Sequence, residues 1–301
     1  MTTPSSTSSQ VPLIAGACGC GSWPPNNAKA AGFAVATPGV DGVEIDVHLT
    51  ADGEIVTHHD YRLRSDSARL AGQWIEEPGP KIRDLTLEQL RAYDLGRAKP
   101  GSKAATDYPF REQWDGSALS TLDEVIDVLA AAPGPRPSRL YVEIKTDPTQ
   151  PEESSDPDRL TRAVIARLAA KGWTAHSKII AFDWSVLRQV ALLAPGLDTA
   201  HLVVPKVLEP QVRRDAQGHS PWNDGHDPLL HDGSLGRAAA AHGARQLSIY
   251  FKDIDADVVA DARAAGLTVA AWGLTEAADI RAMLALGVSS VTALGPYWGR
   301  G

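Results

Sequence analysis

The sequence predicts an α/β fold, a TIM-like (β/α)8 barrel with an insertion after the second strand. Short apolar runs rich in β-branched residues alternate with amphipathic segments along most of the 301 residues, as expected for a parallel sheet with crossover helices. About eight such repeats fit into a chain of this length, and that number favours a closed barrel over an open sheet.

The predicted strands are short runs bounded by polar or glycine-containing segments. The third of them follows a turn, so it is predicted to be an extra hairpin strand that elaborates the barrel locally. In chain order the runs are VPLIAGA (11–17), GVEIDVHLT (42–50), EIVTHH (54–59), LYVEIK (140–145), KIIAF (178–182), TAHLVV (199–204), RQLSIY (245–250), LTVAAW (267–272) and SSVTAL (289–294).

The predicted helices show apolar residues at helical spacing, with polar residues on the opposite face. They lie between the strands, where a parallel barrel needs its crossovers. They are STLDEVIDVLAAA (120–132), DRLTRAVIARLAAKG (158–172), SVLRQVALLA (185–194), ADVVADARAAG (256–266) and AADIRAMLALG (277–287).

Domain boundaries follow from where this alternation stops. Residues 1–10 are polar and are predicted to form a disordered tail, whereas residues 11–301 are predicted to form a single barrel domain. Insertions at about 62–118 and 205–233 interrupt the barrel pattern and are rich in proline and glycine. Long loops beside a barrel mouth often shape substrate binding.

The second insertion contains His219, His226 and His231 together with several aspartates. Histidine and carboxylate side chains are metal ligands, so a second metal site in this loop is one alternative. The spacing of the three histidines matches no tight ligand pattern.

Composition limits the classes of function. The net charge is −8 and the basic residues are scattered, which argues against a nucleic-acid partner. No apolar run is long enough to cross a bilayer, and the start of the chain lacks the pattern of a secretion signal. The only cysteines, Cys18 and Cys20, are too close for an unstrained disulfide and are interpreted as packing residues, so a cytoplasmic location is expected.

The strand at 42–50 has one polar face. Side chains two residues apart share a face of a strand, so Glu44, Asp46 and His48 point to the same side. The strand at 140–145 repeats the pattern with Glu143 and Lys145. Carboxylates buried together without a cation repel each other, and a hard cation such as Mg²⁺ or Ca²⁺ removes that cost. Neutralisation of the carboxylates by Lys or Arg remains the alternative.

His59 follows the turn TADGE and precedes Asp60, which is placed to orient the imidazole ring. A histidine beside a metal site can act as a general acid or base. His58 and His59 point in opposite directions on an extended chain, so only one of them is expected to face inward.

The segment GVDGVEIDVHLTADGEIVTHHD closely resembles the signature of the glycerophosphodiester phosphodiesterase family, which is related to sphingomyelinase-D-like phospholipases. Further similarity lies in DLTLEQLRAYDLG, STLDEVIDVL, YVEIK, IIAFDWSVLRQV and GLTVAAWGLTE, so the resemblance covers most of residues 12–296. It implies a TIM-like barrel and a catalytic His59. It further implies a metal held by Glu44, Asp46 and Glu143, a phosphate-associated Lys145, and Trp272 as an aromatic residue at the site.

The resemblance fails at the first strand. The family usually has His-Arg-Gly there, and an ungapped count back from Glu44 places Ala17 and Cys18 on the histidine and the phosphate-binding arginine. TALGP near the C-terminus also replaces a common aspartate-proline pair.

Three explanations for Ala17 stay open. The alanine is an engineered substitution of a native histidine, or it is natural and His48 takes over proton transfer. The third explanation is that the chemistry needs only a metal and one base, as in expulsion of phosphate or diphosphate from an activated substrate.

The sequence therefore predicts a metal-dependent enzyme that acts on a phosphodiester or phosphate ester of a small or lipid-like substrate, with attack by an adjacent substrate hydroxyl giving a cyclic phosphate in the family's scheme. Cys18, His48 and Trp272 are the predicted substrate contacts, and His59, Lys145 and position 17 the catalytic positions. Two alternatives remain, a metal-dependent lyase or cyclase that ionises a prenyl diphosphate, and a non-catalytic phosphate-binding descendant.

Overall fold

A closed ring of eight parallel strands forms the centre of the computed structural model, which describes residues 11–18, 21–132, 138–205 and 219–294. Around the ring the order is β1, β2, β7, β8, β9, β10, β11 and β12, and β12 pairs again with β1. The strands are β1 (Leu13–Ala15), β2 (Gly42–Leu49), β3 (Ile55–Thr57), β4 (Arg69–Leu70), β5 (Gln73–Trp74), β6 (Tyr93–Asp94), β7 (Arg139–Ile144), β8 (Ser177–Ala181), β9 (Asp198–Val203), β10 (Gln246–Tyr250), β11 (Thr268–Leu274) and β12 (Val291–Ala293).

Helices cover the outside of this ring, so the predicted (β/α)8 barrel is confirmed. All nine predicted strands and all five predicted helices are present, and β3 pairs antiparallel with β2 as a hairpin. The helices are α1 (Ala28–Ala36), α2 (Leu87–Arg91), α3 (Lys103–Asp107), α4 (Leu122–Ala131), α5 (Pro157–Ala170), α6 (Trp184–Leu193), α7 (Leu235–His242), α8 (Ala256–Ala264) and α9 (Ala277–Leu286).

Two crossover helices, α1 and α7, were not among the predicted segments. Both consist largely of small residues, AKAAGFAVA and LGRAAAAH, so each has too few large apolar residues to make a helical period visible in the sequence. Small side chains suit them because Ala30, Ala31 and Ala34 of α1 are fully buried against the barrel.

Side-chain alternation divides each barrel strand into an outer apolar face and an inner face. On β2, Val43, Ile45 and Val47 are fully buried in one large core shared with the helices. On β7, Leu140, Val142 and Ile144 are buried in the same core. The polar residues of both strands therefore lie inside the ring.

The strands around the ring differ in how firmly they pair. β1 is in register with β12 over three residue pairs and with β2 over only two. β2 and β7 are in register over six pairs, among them Asp46 with Glu143.

The predicted insertion after the second strand lies between β3 and α4. It contains a small antiparallel sheet in the order β5, β4, β6, the short helices α2 and α3, and a 3₁₀ turn at Ile82–Asp84. A separate apolar cluster that includes Val56, Leu63 and Ile82 holds it against the hairpin strand. The segment is therefore a packed elaboration of the barrel and not an open loop.

The second predicted insertion is described only from residue 219 onward, where it forms two 3₁₀ turns, Pro221–Asn223 and Pro228–His231. The predicted tail at 1–10 lies outside the described residues, as does Cys20. Within the described ranges, no helix combines the length and the apolar character that a bilayer span requires.

Candidate metal centre and active site

Three carboxylates meet inside the barrel near the ends of β2 and β7. Asp46 and Glu143 are register partners on neighbouring strands, and Glu44 precedes Asp46 by two residues on the same face. All three are buried, and an oxygen from each lies within 4.8 Å of the other two. Among the described residues they form the one group of histidine, cysteine or acidic side chains with spacing suited to a metal ion.

Lys145 neutralises part of this charge. Its Nζ atom is 2.8 Å from Asp46 Oδ1 and 2.5 Å from Glu143 Oε1. Burial by itself would lower the pKa of Lys145, but the two carboxylates outweigh it and raise the pKa well above its ordinary value. Asp46 and Glu143 are thus both paired with a lysine, the alternative that the sequence left open, whereas Glu44 is not.

Glu44 is the carboxylate that Lys145 does not pair. Its Oε2 atom accepts a hydrogen bond of 2.8 Å from the Ala17 amide, while Oε1 is buried without a hydrogen-bond partner. Burial, followed by repulsion from Asp46 and Glu143, raises the pKa of Glu44 well above its ordinary value. A buried carboxylate oxygen without a partner is costly, and an oxygen-preferring divalent cation fits this donor set.

Chelation of divalent metal is expected to lower the melting temperature by more at pH 8 than at pH 5. The pKa values of Glu44 and Glu143 are raised above the ordinary 4.5, so the metal-free native protein retains protons that the unfolded chain releases. Stability of the metal-free form therefore falls as pH rises above about 4.5, and bound metal offsets this loss. Melting curves with EDTA, Mg²⁺ or Ca²⁺ at both pH values measure the effect, and an equal chelator effect at both would contradict it.

His59 is the second residue after β3, and 61% of its side chain is accessible. Its Nδ1 atom is 3.0 Å from Asp60 Oδ1, as the sequence predicted, and Asp60 is in turn 3.6 Å from the Arg64 guanidinium. Lys145 and removal from bulk water lower the pKa of His59, but the carboxylates of Asp46 and Asp60 outweigh them, so the pKa lies above its ordinary value. Adjacent His58 is buried, which leaves His59 as the ring that a substrate can reach.

His48 is buried on the same strand as the acidic residues. Its ring lies edge-on to Tyr61 at 5.7 Å between centroids, and its Nε2 atom has no hydrogen-bond partner among the described residues. Burial, followed by the influence of His58 and Lys145, lowers the pKa of His48 to about 3. A ring with that pKa is a weak base at neutral pH, which argues against His48 as the replacement for the missing histidine.

Position 17 has an unusual backbone. Ala17 lies in the left-handed region with φ 48° and ψ 42°, which costs a non-glycine residue about 1 kcal/mol. Its amide binds Glu44, and its carbonyl accepts a hydrogen bond of 3.0 Å from the Asn26 amide. The loop after β1 is therefore hydrogen-bonded directly to the acidic group, which consists of Glu44, Asp46 and Glu143. The Cys18 side chain lies outside the described part of the structure, so its predicted substrate contact stays a prediction.

Trp272 forms part of an aromatic wall inside the barrel. Its ring centroid is 5.7 Å from that of Phe182 and 5.0 Å from that of Tyr250, and its Nε1 atom donates to the Ser248 carbonyl at 3.2 Å. The side chain is half-buried, and its predicted substrate contact stays a prediction.

Sequence reasoning missed a hydrogen-bonded chain beside the site. The Tyr61 hydroxyl donates to the Thr146 carbonyl at 3.0 Å, and the Thr146 hydroxyl donates to Asp183 at 2.9 Å. Thr146 and Asp183 also line a cavity of about 290 Å³ together with Arg83. Their positions in the sequence could have identified two of these residues. Tyr61 directly follows the His59–Asp60 pair, and Thr146 directly follows Lys145.

The histidines of the second insertion do not assemble a metal site within the described ranges. The His226 and His231 rings stack at 6.3 Å, and His242 bridges His201 and Asp224 at 2.9 and 3.2 Å. Among the residues of this region that the structure describes, no three donor atoms converge as those of the acidic group do.

Comparisons with known proteins agree with the geometry. The family model described as the glycerophosphoryl diester phosphodiesterase family matches residues 19–293. A glycerophosphodiester phosphodiesterase from Caldanaerobacter subterraneus subsp. tengcongensis is 26% identical over 214 residues, which cover 69% of this chain and 75% of that protein.

Solved structures show the same fold. A putative glycerophosphoryl diester phosphodiesterase from Silicibacter pomeroyi superimposes with a TM-score of 0.82 at 26% identity, covering 96% of this chain and 91% of that one. A phosphodiesterase from Oleispira antarctica, solved with the product sn-glycerol-3-phosphate, has a TM-score of 0.65 at 20% identity, covering 95% and 93% of the two chains.

Proposed function

The chain belongs to the glycerophosphoryl diester phosphodiesterase family, and we propose that it hydrolyses a glycerophosphodiester or related phosphodiester with the help of a divalent metal. The observation that carries the proposal is the acidic group of Glu44, Asp46 and Glu143, with an unpartnered oxygen on Glu44 and His59 beside it. A protein that only bound phosphate would have no need of an accessible histidine oriented by a carboxylate.

The acidic residues would hold Mg²⁺ or Ca²⁺, since an all-oxygen donor set suits hard cations. When bound, such an ion neutralises charge that develops on phosphoryl oxygens. Lys145 pairs with Asp46 and Glu143 and holds both carboxyl groups in place. His59, with Nδ1 facing Asp60, presents Nε2 for proton exchange with the leaving oxygen or an attacking hydroxyl.

The substrate class follows from the relatives and the site together. The Oleispira antarctica protein was solved with sn-glycerol-3-phosphate, which supports a small glycerol-containing phosphodiester as substrate here. Attack by an adjacent glycerol hydroxyl, giving a cyclic phosphate, would need His59 to accept that hydroxyl proton. The low cysteine content supports action in a reducing compartment such as the cytoplasm.

The His59→Asn variant is expected to lower kcat about 100-fold with metal affinity unchanged, because asparagine keeps polarity but cannot transfer a proton. Release of glycerol 3-phosphate from glycerophosphocholine measures turnover, and calorimetric titration measures metal binding. His176→Asn is the matched control, since His176 is an exposed histidine before β8. Equal turnover in His59→Asn and the parent chain would remove His59 from the mechanism.

The aromatic wall of Phe182, Trp272 and Tyr250 favours one second candidate, a lyase or cyclase that ionises a prenyl diphosphate at the same metal site. Aromatic faces stabilise carbocations through cation–π attraction. Product analysis separates the two reactions, because a lyase releases diphosphate from a prenyl diphosphate and leaves glycerophosphodiesters unchanged.

A further inference from the structure

Arg111 differs from the other arginines of the insertion. Residues 62–118 contain seven arginines, and six of them form ion pairs with carboxylates, whereas Arg111 forms none among the described residues. Its guanidinium lies 4.4 Å from the centre of the Tyr108 ring, and its Nε atom is buried without a hydrogen-bond partner. An unpaired, partly desolvated guanidinium is suited to bind an anion.

The segment that carries Arg111 packs on the loop that follows β1. The Glu112 amide donates to the Ser22 carbonyl at 2.9 Å, and the Tyr108 ring fills the space where a side chain at Gly21 would lie. Gly21 has φ +69°, so glycine provides both the backbone conformation and the room for this contact. The same loop begins with Ala17, whose amide holds Glu44.

A series of charged residues connects the surroundings of Arg111 to His59. Arg111 feels the charge of Asp66, which is 2.7 Å from Arg64, and Arg64 reaches Asp60, the partner of His59. Arg111 therefore lies on a segment that packs against the loop after β1, and Asp66 connects its surroundings to the residues that orient His59. That loop follows the carboxyl end of β1, and the sites of such barrels form at the carboxyl ends of their strands.

The acidic group, Lys145 and a divalent ion together have no net positive charge to balance a phosphodiester anion. Three carboxylates and Lys145 sum to −2, and a divalent ion brings the group to neutrality. Lys145 already contacts Asp46 and Glu143, so it has limited capacity to bind a phosphodiester anion. The resemblance also places the family's phosphate-binding arginine at Cys18, in the loop on which Tyr108 packs.

We propose that Arg111 is a substrate-binding residue that donates guanidinium N–H groups to the phosphate oxygens of the substrate at the barrel mouth. The assignment rests on the proposed phosphodiesterase function and adds to it the source of the anion-binding charge. The planar fork of arginine matches a phosphate bidentately, which a lysine cannot reproduce.

The test compares Arg111→Gln with Arg97→Gln, a control from the same insertion whose arginine is exposed and paired with Asp115. Turnover of glycerophosphocholine gives KM and kcat, and calorimetry with sn-glycerol 3-phosphate gives a Kd that requires no turnover. Arg111→Gln is expected to raise KM and Kd about 10- to 100-fold, with kcat within about threefold of the parent. Arg97→Gln should match the parent chain, and metal affinity should be unchanged in both variants.

Arg111→Lys provides a second measurement if the glutamine variant is unstable, and it should weaken binding by a smaller factor because it keeps the charge but loses the fork. KM and Kd within twofold of the parent in Arg111→Gln would overturn the assignment while leaving phosphodiester hydrolysis intact. A parent chain that turns over no phosphodiester would overturn the proposed function, and the Kd for sn-glycerol 3-phosphate would still decide the role of Arg111.

Discussion

The Glu44→Gln variant should lose metal binding and fall by about 10³-fold or more in kcat/KM, because a neutral amide replaces a carboxylate of the acidic group that has one buried, unpartnered oxygen. The metal-free variant should at the same time be more stable than the metal-free parent by about 1 kcal/mol at pH 7, since glutamine removes a carboxyl group whose pKa is raised by burial and by Asp46 and Glu143. Glutamine can still accept the hydrogen bond from the Ala17 amide. Metal titration, turnover and chemical denaturation with EDTA measure the three quantities.

Glu54→Gln is the matched control for this experiment. Glu54 lies in the turn before β3, its side chain is 41% accessible, and it does not belong to the acidic group. The control should bind metal and turn over substrate like the parent chain. Unchanged metal affinity in Glu44→Gln would show that the metal site has been assigned to the wrong residues.

The Ala17→His variant should raise phosphodiester turnover by about 10²- to 10⁴-fold, because it supplies a second proton carrier opposite His59. The backbone already suits the change, since histidine occurs in the left-handed region more often than most non-glycine residues. The new ring would start from the residue whose amide contacts Glu44, so it would lie at the acidic group. Release of glycerol 3-phosphate from glycerophosphodiesters, with and without metal, measures the gain.

Ala17→Asn separates proton transfer from backbone effects. Asparagine also tolerates the left-handed region, so it should relieve strain at position 17 and stabilise the fold without raising turnover. Equal turnover of the parent chain and Ala17→His would contradict an inactivated hydrolase and favour chemistry with a metal and one base. Prenyl diphosphates assayed in parallel would test that chemistry.

The acidic group was predictable from the sequence because two physical rules determine it. Alternation along a strand places Glu44 and Asp46 on one face, and parallel pairing of β2 with β7 brings Glu143 into register with Asp46. The barrel itself was predictable because repeated strand–helix units have few ways to bury both faces of a parallel sheet.

Other features depend on contacts that the sequence does not show. Lys145 was predicted to lie at the phosphate, and in the structure its ammonium group pairs with Asp46 and Glu143. This pairing depends on the conformation of the lysine side chain inside the barrel. His48 lies on the predicted face, but its burial against Tyr61 lowers its pKa to about 3, which only the packed structure shows. The segment that carries Arg111 contacts the loop after β1 through Glu112 and Ser22, which are 90 residues apart, so this contact follows from the packing of the insertion.

The short pairing of β1 has a consequence for motion in the barrel. Two register pairs with β2 and three with β12 give this part of the ring fewer hydrogen bonds to break than the six-pair ladder between β2 and β7. Local opening of the ring is therefore expected to begin at β1, since the free energy of opening rises with the contacts that must be broken. Such an opening would carry position 17 away from the carboxylates while β2 and β7 keep them together, and it would let product leave without disassembly of the metal-binding strands.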